Sequence, residues 1–125
     1  MNKIFTDNAP KAIGPYSQAM VVDGYLFTSG QIPINPVTSE IDGEDIIAQT
    51  ERVCSNLEAV LEEAGASFND VIKTTCFLSD MDNFAAFNEV YAKYFVSCPA
   101  RSCVAVKTLP KNVLVEVELI AKLNK

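Results

Sequence analysis

The side chains able to do chemistry in this chain are few, and the most distinctive is an arginine. Only Arg52 and Arg101 carry a guanidinium among 125 residues. Arg52 falls within a predicted helix, whereas Arg101 follows Cys98-Pro99-Ala100 and opens a segment that otherwise reads as an apolar strand. A planar guanidinium fork matches a carboxylate at two points, so Arg101 is suited to anchor a small 2-oxo or 2-imino acid. The plainer alternative is a strand-start arginine paired with an acidic neighbour. Strand alternation puts Arg101, Cys103 and Ala105 on one face, and a hairpin centred near Pro110 would return Glu116 opposite them. Glu116 and Glu118 share a face of the segment VLVEVELIA. They are either the solvated half of a half-buried strand, or one of them orients or activates a water. Cys103 has no histidine or basic cluster nearby in sequence to lower its thiol pKa, so its side chain reads as filler and its backbone as the part that matters.

Four further positions belong with these: Tyr16, Ser29, Gly30 and Asn88. Tyr16 sits in Ile13-Gly14-Pro15-Tyr16-Ser17-Gln18, a loop stiffened by proline, and Ser29-Gly30-Gln31-Ile32-Pro33 ends a strand with small residues whose backbone could approach a ligand. Asn88 reads as a polar, solvent-facing position on a helix. Histidine is absent, which excludes Ser-His-Asp triads, Cys-His pairs, HExxH zinc sites and imidazole proton shuttles. Cys54, Cys76, Cys98 and Cys103 show no C-x-x-C spacing and read as reduced thiols rather than metal ligands. The net charge of −6 repels phosphate backbones and argues against nucleic-acid and anionic-membrane partners. No apolar run approaches the roughly 18 residues of a membrane helix, and MNKIFTDNAP lacks a signal-peptide core, so a cytoplasmic location is expected.

The elements that must position these groups follow from periodicity. Composition is that of one globular domain over residues 1–125, without repeats or linkers. Residues 2–6 read as a short strand, and residues 7–18, with two prolines and a glycine, as an ordered loop. Ala19–Val22 and Tyr25–Ser29 flank Asp23-Gly24, a two-residue hairpin signal. From Asp45 to Ala64 the spacing of Ile46, Val53, Leu57, Val60 and Leu61 predicts an amphipathic helix, with Gly65 just past its end. Residues 71–78 (VIKTTCFL) form a strand, and Asp80 or Asp82 caps a helix to about Phe95 with Phe84, Phe87, Tyr91 and Tyr94 along one side. Strands near 101–107 and 114–121 enclose a Leu-Pro-Lys-Asn turn. The order β-ββ-α-β-α-ββ predicts an α+β fold with two helices packed on one face of a sheet. Strand 71–78 carries Val71, Thr75 and Phe77 on one face and Ile72, Thr74, Cys76 and Leu78 on the other. Too few elements remain to cover both, so a homo-oligomer packed sheet against sheet is expected, with any site between subunits.

Taken together, IGPYSQA (13–19), SGQIP (29–33), FNEVY (87–91), PARSCV (99–104) and LPKNVLVEVE (109–118) resemble the RidA family, also called YjgF/YER057c/UK114, in order and spacing over essentially the whole chain. The resemblance implies a chorismate-mutase-like α+β fold, a homotrimer with clefts between subunits, and hydrolysis of reactive enamines and imines such as 2-aminoacrylate to 2-oxo acids and ammonia. It matches Arg101 to the family's carboxylate-binding arginine, and Tyr16, Ser29 and Gly30 to cleft-lining residues. Asn88 matches a cleft-edge position, Cys103 the position whose backbone contacts ligand or water, and Glu116 the acidic residue beside the water. Ser39 stands where many members have glycine, a departure confined to a loop. The mechanism implied needs no histidine, metal or organic cofactor. Arg101 fixes the carboxylate, and a water held by Glu116 and the Cys103 carbonyl attacks C2. Two alternatives stay open: a 2-oxo-acid-binding regulatory module without turnover, and cleavage of single-stranded RNA, another activity associated with the family. Five of the ten basic residues lie after position 100, but the net charge opposes the RNA reading.

Overall fold

The computed structural model describes residues 1–124. In chain order the elements are β1 (Asn2–Ile4), β2 (Ala19–Val22), β3 (Tyr25–Thr28), α1 (Ile46–Glu63), β4 (Val71–Leu78), α2 (Phe84–Tyr94), β5 (Ala100–Ala105) and β6 (Val115–Lys122). The strands form a six-stranded sheet in the order β1-β2-β3-β6-β4-β5. Pairing is antiparallel throughout except for β4 and β5, which run parallel and are joined by α2. The order of elements matches the periodicity, and both helices lie on one face of the sheet.

Local chemistry accounts for the ends of these elements. At the β2–β3 turn Asp23 and Gly24 both take positive φ (52° and 80°), the conformation a two-residue hairpin needs. The Asp45 carboxylate accepts from the Ala48 backbone N–H at 2.8 Å and caps α1. Gly65, at φ 78°, lets the chain turn away just beyond it. Asp80 caps not α2 itself but a short helical turn, Met81–Asn83, which leads into it.

Two expectations about the sheet fail. The segments around Pro110 do not make a hairpin: β6 inserts between β3 and β4, and β5 occupies the sheet edge. The reason is burial. Val115, Val117, Leu119 and Ala121 of β6 are all 2% exposed or less, which suits a central strand lying under a helix. Of β5, by contrast, only Arg101 and Cys103 are even half-buried, and such a strand belongs at an edge. The second failure is in β4, where an irregularity between Val71 and Lys73 shifts the pairing with β6. Val71 thereby turns into the core and Ile72 outward, reversed with respect to strict alternation.

The core lies between α1, α2 and one sheet face. Leu57, Val60 and Leu61 of α1, Phe87 of α2, and Cys76 and Leu78 of β4 are fully buried there. The opposite face is bare. Phe27 is 42% and Val104 48% exposed on it, and Thr75 and Phe77 point the same way beside Glu118 and Glu116. The loop before β2 is held from within by Gln18, which is 2% exposed. Its side-chain oxygen accepts from Thr6 N–H at 2.7 Å, and its amide nitrogen donates to the carbonyls of Thr6 (3.0 Å) and Pro10 (2.8 Å). Replacing it by an apolar residue strands buried backbone groups, each costing about 1–3 kcal/mol. Gln18→Leu is expected to lower the unfolding free energy by about 2–4 kcal/mol in urea titration; a change below about 0.5 kcal/mol contradicts this role.

Candidate functional site

Arg101 is the second residue of β5, the strand at the sheet's edge, and pairs in register with Thr74 of β4. Thr74, Cys76 and Leu78 face the helices, so Arg101, Cys103 and Ala105 point to that side too. There the guanidinium meets α2. Arg101 Nη1 donates to Asn88 Oδ1 at 2.8 Å, and its carbon lies 4.7 Å from the centroid of the Tyr91 ring and 5.4 Å from that of Phe84. Asn88 is therefore half-buried against the arginine rather than a plain solvent-facing residue. Among the described residues no carboxylate lies within salt-bridge distance of Arg101; the ion pairs are Arg52–Asp42 and Lys93–Glu51. Among the described residues the acidic partner of the plainer reading is not found, and Asn88 is the one side chain that accepts from the fork. Beside it lies a cavity of about 500 Å³ bounded by Tyr91, Phe95, Val96, Cys98, Pro99 and Arg101.

Glu116 lies on the other side of the sheet. It pairs with Phe77 of β4, while its neighbours Val115 and Val117 fill the core. The backbone of Gln31 exchanges hydrogen bonds with Val117, at 2.8 and 3.1 Å, and this bridge lays Gly30 directly against the carboxylate. A β-carbon at Gly30 would stand 2.0 Å from Glu116 Oε2, so no other residue fits there without displacing the glutamate. Burial pushes the Glu116 carboxyl above its ordinary value, and Glu118 adds repulsion.

Tyr16 belongs to the Glu116 side through its loop. Its hydroxyl accepts from the Ile13 N–H at 3.3 Å. It stands between a cleft of about 630 Å³, whose walls include Phe27 and Ser29, and a smaller one of about 340 Å³ that includes Gly30 and Lys111. The Ser29 hydroxyl donates to the Ser17 carbonyl at 2.6 Å, so it fastens the Tyr16 loop to the end of β3. The Cys103 thiol is raised by burial, partly offset by Arg101. It is no ready nucleophile.

The candidate residues thus form two half-sites. Arg101, Asn88 and Cys103 gather on the helix side of the edge strand; Glu116, Gly30, Ser29 and Tyr16 gather on the opposite side. Alternation along paired strands keeps Arg101 and Glu116 on different faces within one chain. Periodicity placed Tyr91 and Phe84 on the apolar side of α2 but not under Arg101, although their spacing from Asn88 on α2 carried the signal. Thr74, which binds Tyr91, gave none. Among the described residues no cluster of cysteine and carboxylate groups could hold a metal ion. Nor is any helix there long and apolar enough to cross a membrane.

The architecture is that of a two-layer α+β protein with a guanidinium cleft and a carboxylate niche on opposite sides of one sheet. The family described as Endoribonuclease L-PSP has a sequence model that matches residues 6–123. A RutC family protein of Pyrococcus abyssi is 58% identical over 119 residues, covering 94% of each chain. A solved structure from Yersinia pestis, described as belonging to the conserved Rid protein family, superposes with a TM-score of 0.95 at 48% identity, covering 98% of each chain. TdcF of E. coli, solved with bound serine, superposes with a TM-score of 0.94 at 43% identity, covering 99% of this chain and 100% of its own. The chain belongs to the L-PSP/RidA (YjgF) family.

The raised carboxyl of Glu116 makes a prediction about stability. Above its ordinary value of 4.5 the group binds a proton more readily in the fold than in the unfolded chain, so its ionised form costs folding free energy at neutral pH. That cost fades as the pH falls and the folded group takes up its proton. Glu116→Gln is expected to melt above the parent at neutral pH and to lose this advantage as the pH nears 4.5. Thermal melts across that range check it, and an advantage that grows on acidification contradicts it.

Proposed function

We propose that the chain is a 2-iminobutanoate/2-iminopropanoate deaminase. In this reading it hydrolyses reactive enamines and imines such as 2-aminoacrylate to 2-oxo acids and ammonia, in clefts between the subunits of a cytoplasmic homotrimer. The observation that carries the reading is the state of Arg101: a cation without a carboxylate partner among the described residues, held by Asn88 and two rings, beside a cavity. A small organic acid supplies the missing charge. The serine held by TdcF is an acid of this size. The division into half-sites supports a subunit boundary, because a second copy whose edge strand lies against the bare face can bring its Arg101 to the first copy's Glu116 niche.

The chemistry asked of the residues is modest. The substrate enters as the iminium, whose C2 is already electrophilic, and Arg101 holds the adjoining carboxylate, so positioning supplies much of the assistance. A water held by Glu116 and the Cys103 carbonyl adds its oxygen to C2 while the C=N π pair moves to nitrogen. A proton passes from that oxygen to nitrogen, the C–N bond breaks with its electron pair going to nitrogen, and the remaining hydroxyl proton passes to the departing ammonia as the C2 carbonyl forms. Tyr16 and Gly30 wall the cleft, and Ser29 secures the Tyr16 loop. No step draws on a metal or organic cofactor.

Ammonia release from 2-aminoacrylate, generated in place by a serine dehydratase, tests this. Arg101→Ala is expected to lower kcat/KM by at least about a hundredfold, since two charge-assisted hydrogen bonds of about 1.5 kcal/mol each disappear. In the parent, activity falls on acidification as Glu116 protonates above the ordinary carboxylate range, and Glu116→Gln removes that limb of the profile. Equal rates for parent and Arg101→Ala overturn the reading. Calorimetric binding of 2-oxobutyrate without turnover favours a sensor instead. Cleavage of single-stranded RNA that survives purification and vanishes in Arg101→Ala favours a nuclease.

A further inference from the structure

An arginine at the edge of a sheet has a long side chain with many rotamers, and fixing it costs up to about 2 kcal/mol of entropy. A carboxylate anchor works only if that cost is met before the ligand arrives. All three groups against the Arg101 guanidinium come from one stripe of α2: Phe84, Asn88 and Tyr91, spaced by four and three residues. Asn88 directs one nitrogen, and Phe84 is the more distant ring. Tyr91 is the nearer of the two rings, and it is itself held at its hydroxyl.

The Tyr91 hydroxyl shares a 2.7 Å hydrogen bond with the hydroxyl of Thr74, which is fully buried. Thr74 is the β4 residue in register with Arg101. The ring is therefore tied to the same rung of the sheet that carries the arginine. Phe95 stacks on Tyr91 with centroids 4.2 Å apart and an interplanar angle of 17°, so the ring has little freedom to rotate away. Packing alone does not call for these hydroxyls. A phenylalanine over a valine would fill the space, and a buried hydroxyl costs free energy unless it is bonded. Tyr94, one turn further along α2, shows the contrast: its hydroxyl binds Glu51 of α1 and serves the helix pair.

We propose that Tyr91, locked by Thr74, is a positioning residue that holds the Arg101 guanidinium in the orientation that receives the substrate carboxylate. This rests on the reading of Arg101 as the carboxylate anchor. The cation lies over the ring, and the ring is fixed in angle by Thr74.

Calorimetric binding of 2-oxobutyrate, alongside kcat and KM for imine hydrolysis, tests the proposal in the full-length chain. Tyr91→Leu removes the ring face and is expected to raise both Kd and KM about tenfold, while Tyr91→Phe, which keeps the ring, rescues most of the loss. Thr74→Val leaves the ring but frees it and is expected to raise Kd about threefold. Kd values for Tyr91→Leu and Thr74→Val equal to the parent's overturn the proposal. If Tyr91→Leu does not fold, Thr74→Val decides alone: an unchanged Kd overturns the proposal and a raised one supports it. Arg101→Ala separates the two layers of the argument. If that variant binds 2-oxobutyrate as tightly as the parent, the anchor reading fails. If it loses binding while the Tyr91 and Thr74 variants do not, only the positioning role fails.

Discussion

The insertion of β6 between β3 and β4 governs everything functional in this molecule. It gives a strand with four buried side chains, Val115, Val117, Leu119 and Ala121, the two neighbours it needs and leaves β5 at the edge. Because paired strands alternate in register, the same arrangement sends Arg101 toward the helices and Glu116 toward the bare face. One chain therefore builds a guanidinium cleft and a carboxylate niche without letting them meet. The exposed apolar side chains around Glu116, Phe27 and Val104 among them, are what a covering surface would bury.

Each half-site is prepared by contacts that reach into the core. Arg101 is oriented by Asn88 and the rings of α2, and its charge is left without an acidic partner among the described residues. Glu116 is hemmed in by a glycine that the Gln31–Val117 bridge presses against it. The Tyr16 loop is anchored by Gln18 from within and by the Ser29 hydroxyl at its end. Neither the Cys76 nor the Cys103 thiol is primed as a nucleophile: burial raises Cys76 to about 12, and Cys103 moves in the same direction.

Much of this was legible before any coordinates. The alternation in β6, the stripe of α1 and the Asp23-Gly24 turn each reflect a local rule that tertiary packing did not override. Arg101, Glu116, Gly30 and Tyr16 were singled out by residue type and context, whereas Asn88 read as a solvent-facing polar residue and entered only through the family resemblance. What could not be read was pairing across distance. Whether residues around Pro110 close a hairpin or cross over β4 depends on which strand finds deeper burial, and no local signal encodes that comparison. The shift in β4, which exchanges Val71 and Ile72 between faces, has the same origin. Thr74 looked like an ordinary strand threonine because its importance lies in a partner 17 residues away.

The central claim is that one chain's Arg101 works with another chain's Glu116. Arg101→Ala and Glu116→Gln each disable one half-site, and coexpression mixes them within the same oligomers. If the functional cleft is shared between chains, random assembly restores an intact pairing at about a quarter of the sites. The account predicts ammonia release from 2-aminoacrylate by the coexpressed protein at about that fraction of the parent rate. A rate no greater than the mean of the two variants assayed separately would contradict it.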